Sequence, residues 1–199
     1  MDAGSDTTAI ALTHLLYQLC KNPDKLGLLR QTLKGTFEGE IPSFDTVKNN
    51  KYLRACIDES LRLLPPVSFG LQRKTPPEGA MILGEWVPGN TLVGVPAYVA
   101  HRDPDVFPEP ETFCPERWLS EAAKDFQKYY IAFSAGARGC IGRNISYLEQ
   151  HVLVAALVVR YDMGLADPDF EMVWEERFNL LPKALPIRFT RRKSGLKAV

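Results

Sequence analysis

Apolar side chains recur at helical spacing through the first third of the chain. Ile10, Leu12, Leu15, Leu16 and Leu19 predict a helix over about 5–19. Pro23 sits just beyond it, and residues 24–35 predict a second helix. Residues 43–50 predict a short helical piece. Leu53, Cys56, Ile57, Leu61 and Leu64 predict a strongly periodic helix over 52–64, stopped by Pro65 and Pro66. The pattern then changes. From Val67 to about Ala97, short β-type runs (80–83 and 91–95) alternate with Gly and Pro, predicting a small sheet with tight turns. Residues 101–118, rich in Pro, Asp and Glu, predict an ordered but irregular meander. A Gly-rich loop over 134–142 leads into a long helix from Arg143 to Tyr161. Residues 178–190 predict a β-hairpin around Pro182 and Pro186, and the basic tail from Arg191 is expected to be loose. No internal repeat or low-complexity linker interrupts this order.

Composition narrows the function classes. The chain has 199 residues, 45% of them hydrophobic, which suits one substantial globular unit better than two. Residues 1–190 are expected to form that unit, with 191–199 as a basic tail. Lys plus Arg and Asp plus Glu each number 24, so the formal net charge is zero. Nucleic-acid binding, which draws on a long-range positive field, is therefore not expected. The longest apolar run, Val152–Val159, stops at Arg160 and is too short for a membrane span. Residues 1–4 carry neither a basic patch nor an apolar signal stretch, so the chain as written reads as soluble. Cys20, Cys56, Cys114 and Cys140 form no C-x-x-C pair, and His14, His101 and His151 are scattered. No zinc-ligand spacing results, and a reducing compartment is the default.

The most specific chemistry lies in Phe133-Ser134-Ala135-Gly136-Ala137-Arg138-Gly139-Cys140-Ile141-Gly142. One cysteine ends a Gly-rich loop just before a long helix. Free N–H groups at the helix start, with Arg138 nearby, favour a thiolate. Such a thiolate serves as a nucleophile or as a soft-metal ligand; the bland alternative is an inert buried cysteine. A nucleophile needs a base, and no histidine lies within ten residues of Cys140.

The spacing F-x-x-G-x-R-x-C-x-G resembles the haem-binding loop of the cytochrome P450 family. The resemblance implies that Cys140 is the axial thiolate ligand of haem iron. It also implies that Arg138 pairs with a haem propionate, that Phe133 packs beside the loop, and that Gly136 and Gly142 let backbone approach the porphyrin. Glu59-Ser60-Leu61-Arg62 places a carboxylate and a guanidinium on one helix face, on its own no more than a surface ion pair. With Pro115-Glu116-Arg117-Trp118 it resembles the family's E-x-x-R and P-E-R-F elements, which implies a buried structural network of Glu59, Arg62 and Arg117. Ala3-Gly4-Ser5-Asp6-Thr7-Thr8 has the residues of a helix cap, yet resembles the family's distal oxygen-binding motif. There the glycine, acid and hydroxyl would loosen helical bonding to make room for O2 and water, and Asp6 and Thr7 would deliver protons. Arg73 matches a strand arginine that reaches a propionate. Val67, Ser68, Phe69 and the Phe178–Leu181 turn match substrate-facing segments. The histidines are expected to be structural, since the thiolate fills the axial position.

The fold implied is mainly α with a small β component: distal helix, E-x-x-R helix, meander, Cys loop, proximal helix and C-terminal hairpin. The activity implied is haem b-dependent monooxygenation of a small hydrophobic organic substrate, with electrons from NADPH through a partner reductase. The wording of 61–67 and 101–118 is closest to eukaryotic, fungal microsomal members, which implies secondary metabolism. The resemblance spans residues 3 to about 190 but only the C-terminal part of the family's sequence. The chain is accordingly expected to be a truncated form that holds haem poorly and lacks turnover, with an inactive remnant as the rival reading. Full-length relatives would sit at the endoplasmic reticulum membrane, whereas this chain, without their anchor, would be cytoplasmic.

Overall fold

A computed structural model describes residues 2–192. Among these, α1 (Asp2–Lys21) and α2 (Pro23–Leu33) are separated by Asn22, and Pro23 opens α2 where its missing N–H costs no bond. A short α3 (Phe44–Val47) leads to α4 (Lys51–Leu63), the most buried helix, in which every residue from Ala55 to Leu63 is buried. Asn50 caps α4: its side-chain oxygen accepts the Leu53 N–H at 2.9 Å. The helix ends where Pro65 and Pro66 can no longer supply N–H donors. Leu15 and Leu19 of α1, Leu29 and Leu33 of α2 and Leu53 and Ile57 of α4 form the core. Val154 and Val158 of α7 (Arg143–Arg160) complete it.

Among the described residues, the β component is four two-stranded antiparallel ribbons. β1 (Arg73–Lys74) pairs with β4 (Leu92–Val93), and β2 (Ala80–Ile82) with β3 (Glu85–Val87). Leu83 (φ 51°) and Gly84 (φ 87°) make the β2–β3 turn, both left-handed as a tight hairpin requires. α5 (Ala97–Ala100) and α6 (Ala123–Tyr129) flank the irregular 101–118 segment. α6 buries no residue, which is why no periodicity revealed it.

The C-terminal strands differ from the expected pairing within 178–190. β6 (Trp174–Glu176) and β7 (Leu180–Pro182) form a hairpin with Phe178 in its turn. β8 (Ile187–Arg191) pairs instead with β5 (Tyr161–Leu165), which directly follows α7. Pro182 and Pro186 lack the N–H groups that a β7–β8 ladder would use. Arg191 lies in β8 and Arg192 donates its N–H to Arg160, so the tail is not loose at its first two residues; 193–199 lie outside the described residues.

One ion cluster organises the meander. Glu59, 0% exposed, accepts Arg62 Nε and Arg117 Nε, each at 2.9 Å. It also accepts a second Arg62 nitrogen at 2.9 Å, the Cys114 N–H at 3.0 Å and the Trp118 indole at 2.8 Å. Arg62 spends its other N–H groups on the carbonyls of His101, Pro110 and Thr112, and Arg117 on those of Pro108 and Glu109. The meander is thus ordered by buried guanidinium donors rather than by a ladder. Trp118→Phe keeps the ring but removes one bond to a buried charge. We expect urea unfolding to show a loss of about 1.5–3 kcal/mol, and a variant as stable as the parent would contradict the geometry.

Candidate functional site

The 134–142 loop is built by backbone conformations that few residues adopt. Ser134 (φ 59°) and Gly136 (φ 64°) are left-handed, and a single 3₁₀ turn runs over Gly136–Arg138. The Cys140 N–H donates to the Phe133 carbonyl at 2.8 Å, closing the loop at its neck. The Phe133 ring packs on Tyr147 of α7, with centroids 5.0 Å apart. Cys140 therefore stands two residues before Gly142, the N-cap of α7, where free N–H groups and the helix dipole favour negative charge. It is exposed, whereas Cys56 is buried and Cys20 and Cys114 are partly so. Beside it Ile141 and Ile145 are 103% and 64% exposed, an apolar surface around a free thiol.

The distal candidates lie on α1, which runs unbroken from Asp2. The expected loosening at Gly4 is thus not seen as a break. The Thr7 hydroxyl donates to the Ala3 carbonyl at 2.6 Å, a back-bond one turn earlier. Asp6 is exposed. Thr8, the next residue, donates to Ser146 Oγ at 3.2 Å, and Gln150 also donates to Ser146 at 3.1 Å. This bond ties the helix that carries Asp6 and Thr7 to the helix that follows Cys140. Thr8 closes the Ala3–Thr8 motif, but nothing in the residue spacing pointed to its bond with Ser146 or to Gln150, because these partners lie far away in the chain.

Arg138 is exposed, and Arg73 donates to the carbonyls of its neighbours Leu71 and Gln72. Phe69 and Phe178 are brought together edge to face, with centroids 5.8 Å apart, and Val67 is half-buried beside them in sequence. An open cavity of about 790 Å³ touches Ser68, Phe69, Tyr17 and Trp174 near the far end of α1, away from Cys140. Behind the loop, a polar cavity of about 300 Å³ is lined by Arg54, Asp58, Tyr130, Phe133, Ser134 and Arg143. Asp58 there accepts Tyr147 Oη at 2.6 Å and Arg54 Nε at 2.7 Å; burial pushes its carboxyl above the usual range.

A family model described as Cytochrome P450 matches residues 1–190. The chain belongs to the cytochrome P450 family. It is 40% identical over 204 residues to cytochrome P450 monooxygenase cicH of Emericella nidulans, covering 99% of this chain and 41% of that protein. Alt3 of Alternaria solani is 39% identical over 94% of the chain, and FCK2 of Fusarium pseudograminearum 37% over 96%; 38% and 36% of those proteins are covered. The chain thus spans about two-fifths or less of the length of these relatives.

Haem is the cofactor of the family, and the residues present fit it. The exposed Cys140 sulfur is a soft donor, and Ile141 and Ile145 offer apolar surface of the kind a porphyrin face covers. Gly136 has nothing within 4 Å of where a Cβ would stand, so only its backbone conformation selects glycine. Gly136→Ala is therefore expected to cost about 1 kcal/mol on denaturant unfolding; a neutral outcome would mean the loop is not held left-handed there.

The histidines are neutral, internal hydrogen-bonding groups. His101 Nε2 accepts the Ile131 N–H at 2.8 Å, which leaves the proton on Nδ1, donated to the Arg62 carbonyl at 3.1 Å. His14 is held in the same tautomer by the Leu64 carbonyl and the Trp174 indole. Burial lowers both to about 4 from an ordinary 6.5. Unfolded histidine takes up a proton near pH 6.5 and the folded rings do not. Their contribution to stability is therefore full above that pH and is lost as pH falls toward 4, on the order of 3 kcal/mol for each ring. Ring-proton NMR should show both titrating near 4; a midpoint near 6.5 for either would contradict its buried hydrogen bonds.

Proposed function

We propose that this chain is the thiolate-bearing part of a haem-dependent monooxygenase acting on a small hydrophobic organic substrate, in fungal secondary metabolism. One observation carries the reading: an exposed thiol at the start of α7, with the Asp6–Thr7 helix tied to α7 by the Thr8–Ser146 bond. When bound, haem b would supply O2 activation, with two electrons from NADPH through a partner reductase; one oxygen atom would enter a substrate C–H bond and the other would leave as water with two protons. Cys140 holds the iron, and the positive end of α7 with Arg138 offsets the negative charge of a sulfur ligand. Arg138 and Arg73 hold the propionates. Phe133 and Gly136 set the shape of the loop, and Gly142 leaves backbone room beside the sulfur.

On the distal side, the Thr7 hydroxyl is committed as a donor to Ala3, so its lone pairs remain to accept a hydrogen bond from a water molecule. Asp6, open to water, exchanges protons with solvent and would pass them to the O2 being reduced through a water molecule that Thr7 Oγ1 holds in place. Glu59, Arg62 and Arg117 act structurally by holding the meander. Val67, Phe69 and Phe178 bound the substrate side. Turnover is assigned to a protein of the relatives' length, set at the endoplasmic reticulum as in eukaryotic members; no helix among the described residues is long and apolar enough to cross a membrane.

The carbon monoxide difference spectrum of the reduced, haem-loaded chain tests this. We expect a thiolate-shifted Soret band for the parent and its complete loss in Cys140→Ser. A thiolate-type band that survives the substitution, or a nitrogen-ligated spectrum in the parent, would overturn the assignment.

A further inference from the structure

His14 lies on α1 about two turns beyond Thr7 and is 0% exposed. Its two ring nitrogens connect three elements. Nδ1–H donates to the Leu64 carbonyl at 2.9 Å, and Nε2 accepts the Trp174 indole N–H at 3.2 Å. Leu64 is the C-cap of α4, where the helix stops and no following turn supplies a backbone donor, so the His14 ring serves this buried carbonyl. An aliphatic residue at position 14 would leave both the carbonyl and the indole unpaired.

The same face of α1 receives the strand that enters the β6–β7 hairpin. Tyr17 packs edge to face on Phe170 and Trp174, at 6.5 and 6.1 Å, and donates to Glu171 at 2.8 Å. Lys21 reaches Glu171 at 2.6 Å. From the other side the hairpin is fastened to the segment after α4. The Leu180 N–H donates to the Pro66 carbonyl at 2.8 Å, and the Ser68 hydroxyl to Glu176 at 2.7 Å. Phe69 and Phe178 meet beyond these ties.

We infer that His14, with Trp174, is a positioning pair that fixes the 174–182 hairpin and the Phe69–Phe178 contact against the distal helix, and so sets the width of the substrate space. The width claim rests on the reading above that Phe69 and Phe178 face substrate. His14 touches no substrate itself; it acts through Trp174 and Leu64. Tyr17 and Lys21 also hold the entry to the hairpin on α1, and Leu180 and Ser68 join the hairpin to the 66–68 segment; the His14 ring is bonded to both segments at once from the helix that carries Asp6 and Thr7.

Hydrogen exchange by mass spectrometry on the whole 199-residue chain tests the clamp without haem. Trp174→Phe keeps an aromatic ring while removing the indole N–H and part of the ring's volume. It is expected to speed exchange in 66–70 and 174–182 by about five- to tenfold, with 59–63 unchanged. His14→Gln, which keeps a donor and an acceptor, is expected to restore more protection than His14→Ala. Equal acceleration in all three segments, or none, overturns the clamp. On the haem-loaded chain, Trp174→Phe is expected to change the affinity for a diphenyl-substituted imidazole by about threefold or more and to leave that for imidazole itself unchanged. Equal effects on the two ligands overturn the claim about width. A parent chain with no thiolate-type spectrum would sink the monooxygenase reading, while the exchange data would still decide the clamp.

Discussion

Glu59 is a carboxylate with no water around it, and its two oxygens accept five hydrogen bonds: three from arginines, one from an indole and one from a backbone N–H. Burying a charge is tolerated only when pairing is this complete. Two guanidiniums against one carboxylate leave excess positive charge inside the protein. That excess is spread over five carbonyl oxygens of the 101–112 segment. The chain there has no helix or strand ladder of any length to satisfy it, so these bonds, with a few local turns such as Phe107 N–H to the Asp103 carbonyl, are its internal order. The irregular path of the meander follows from where the arginine donors point.

The thiol loop inherits this order. His101 takes its place in the meander, gives its Nδ1 proton to the Arg62 carbonyl and accepts the Ile131 N–H. Ile131 is two residues before Phe133, whose carbonyl closes the loop on the Cys140 N–H. A path of short hydrogen bonds therefore leads from the buried ion cluster to the sulfur. On the other side, Tyr147 braces Phe133 and is itself held by Asp58, the residue before Glu59 on α4. Adjacent residues of one helix thus support the meander and the loop. The distal helix is joined to this assembly by Thr8–Ser146 near Cys140 and by His14–Leu64 farther along.

How much of this could be read from sequence depended on the range of the interaction. The helices α1, α2, α4 and α7 were legible because each buries one periodic face, and α4 nearly all of itself. The Gly-rich loop before Cys140 was legible because its residue types stand at short, fixed spacing along the chain. The strand partners were not. β5 follows α7 directly and begins at Tyr161, which continues an apolar helical pattern, so only the presence of β8 beside it decides its conformation. Trp118 was read as a variant of a family phenylalanine, and its indole N–H to Glu59 needed coordinates to be noticed. His14 and His101 use both ring nitrogens in internal hydrogen bonds, whose partners lie on distant segments and so beyond the reach of spacing. Arg73 and Arg138 are solvent-exposed, and their part in holding a propionate rests on likeness to the family.

The proposed function depends on one bond, which the Cys140 sulfur would make to haem iron. X-ray absorption at the iron edge of the haem-loaded chain looks at that bond directly. The account predicts a sulfur scatterer in the first coordination shell, present in the parent and absent in Cys140→Ser. A first shell of nitrogen and oxygen alone in the parent chain would contradict it.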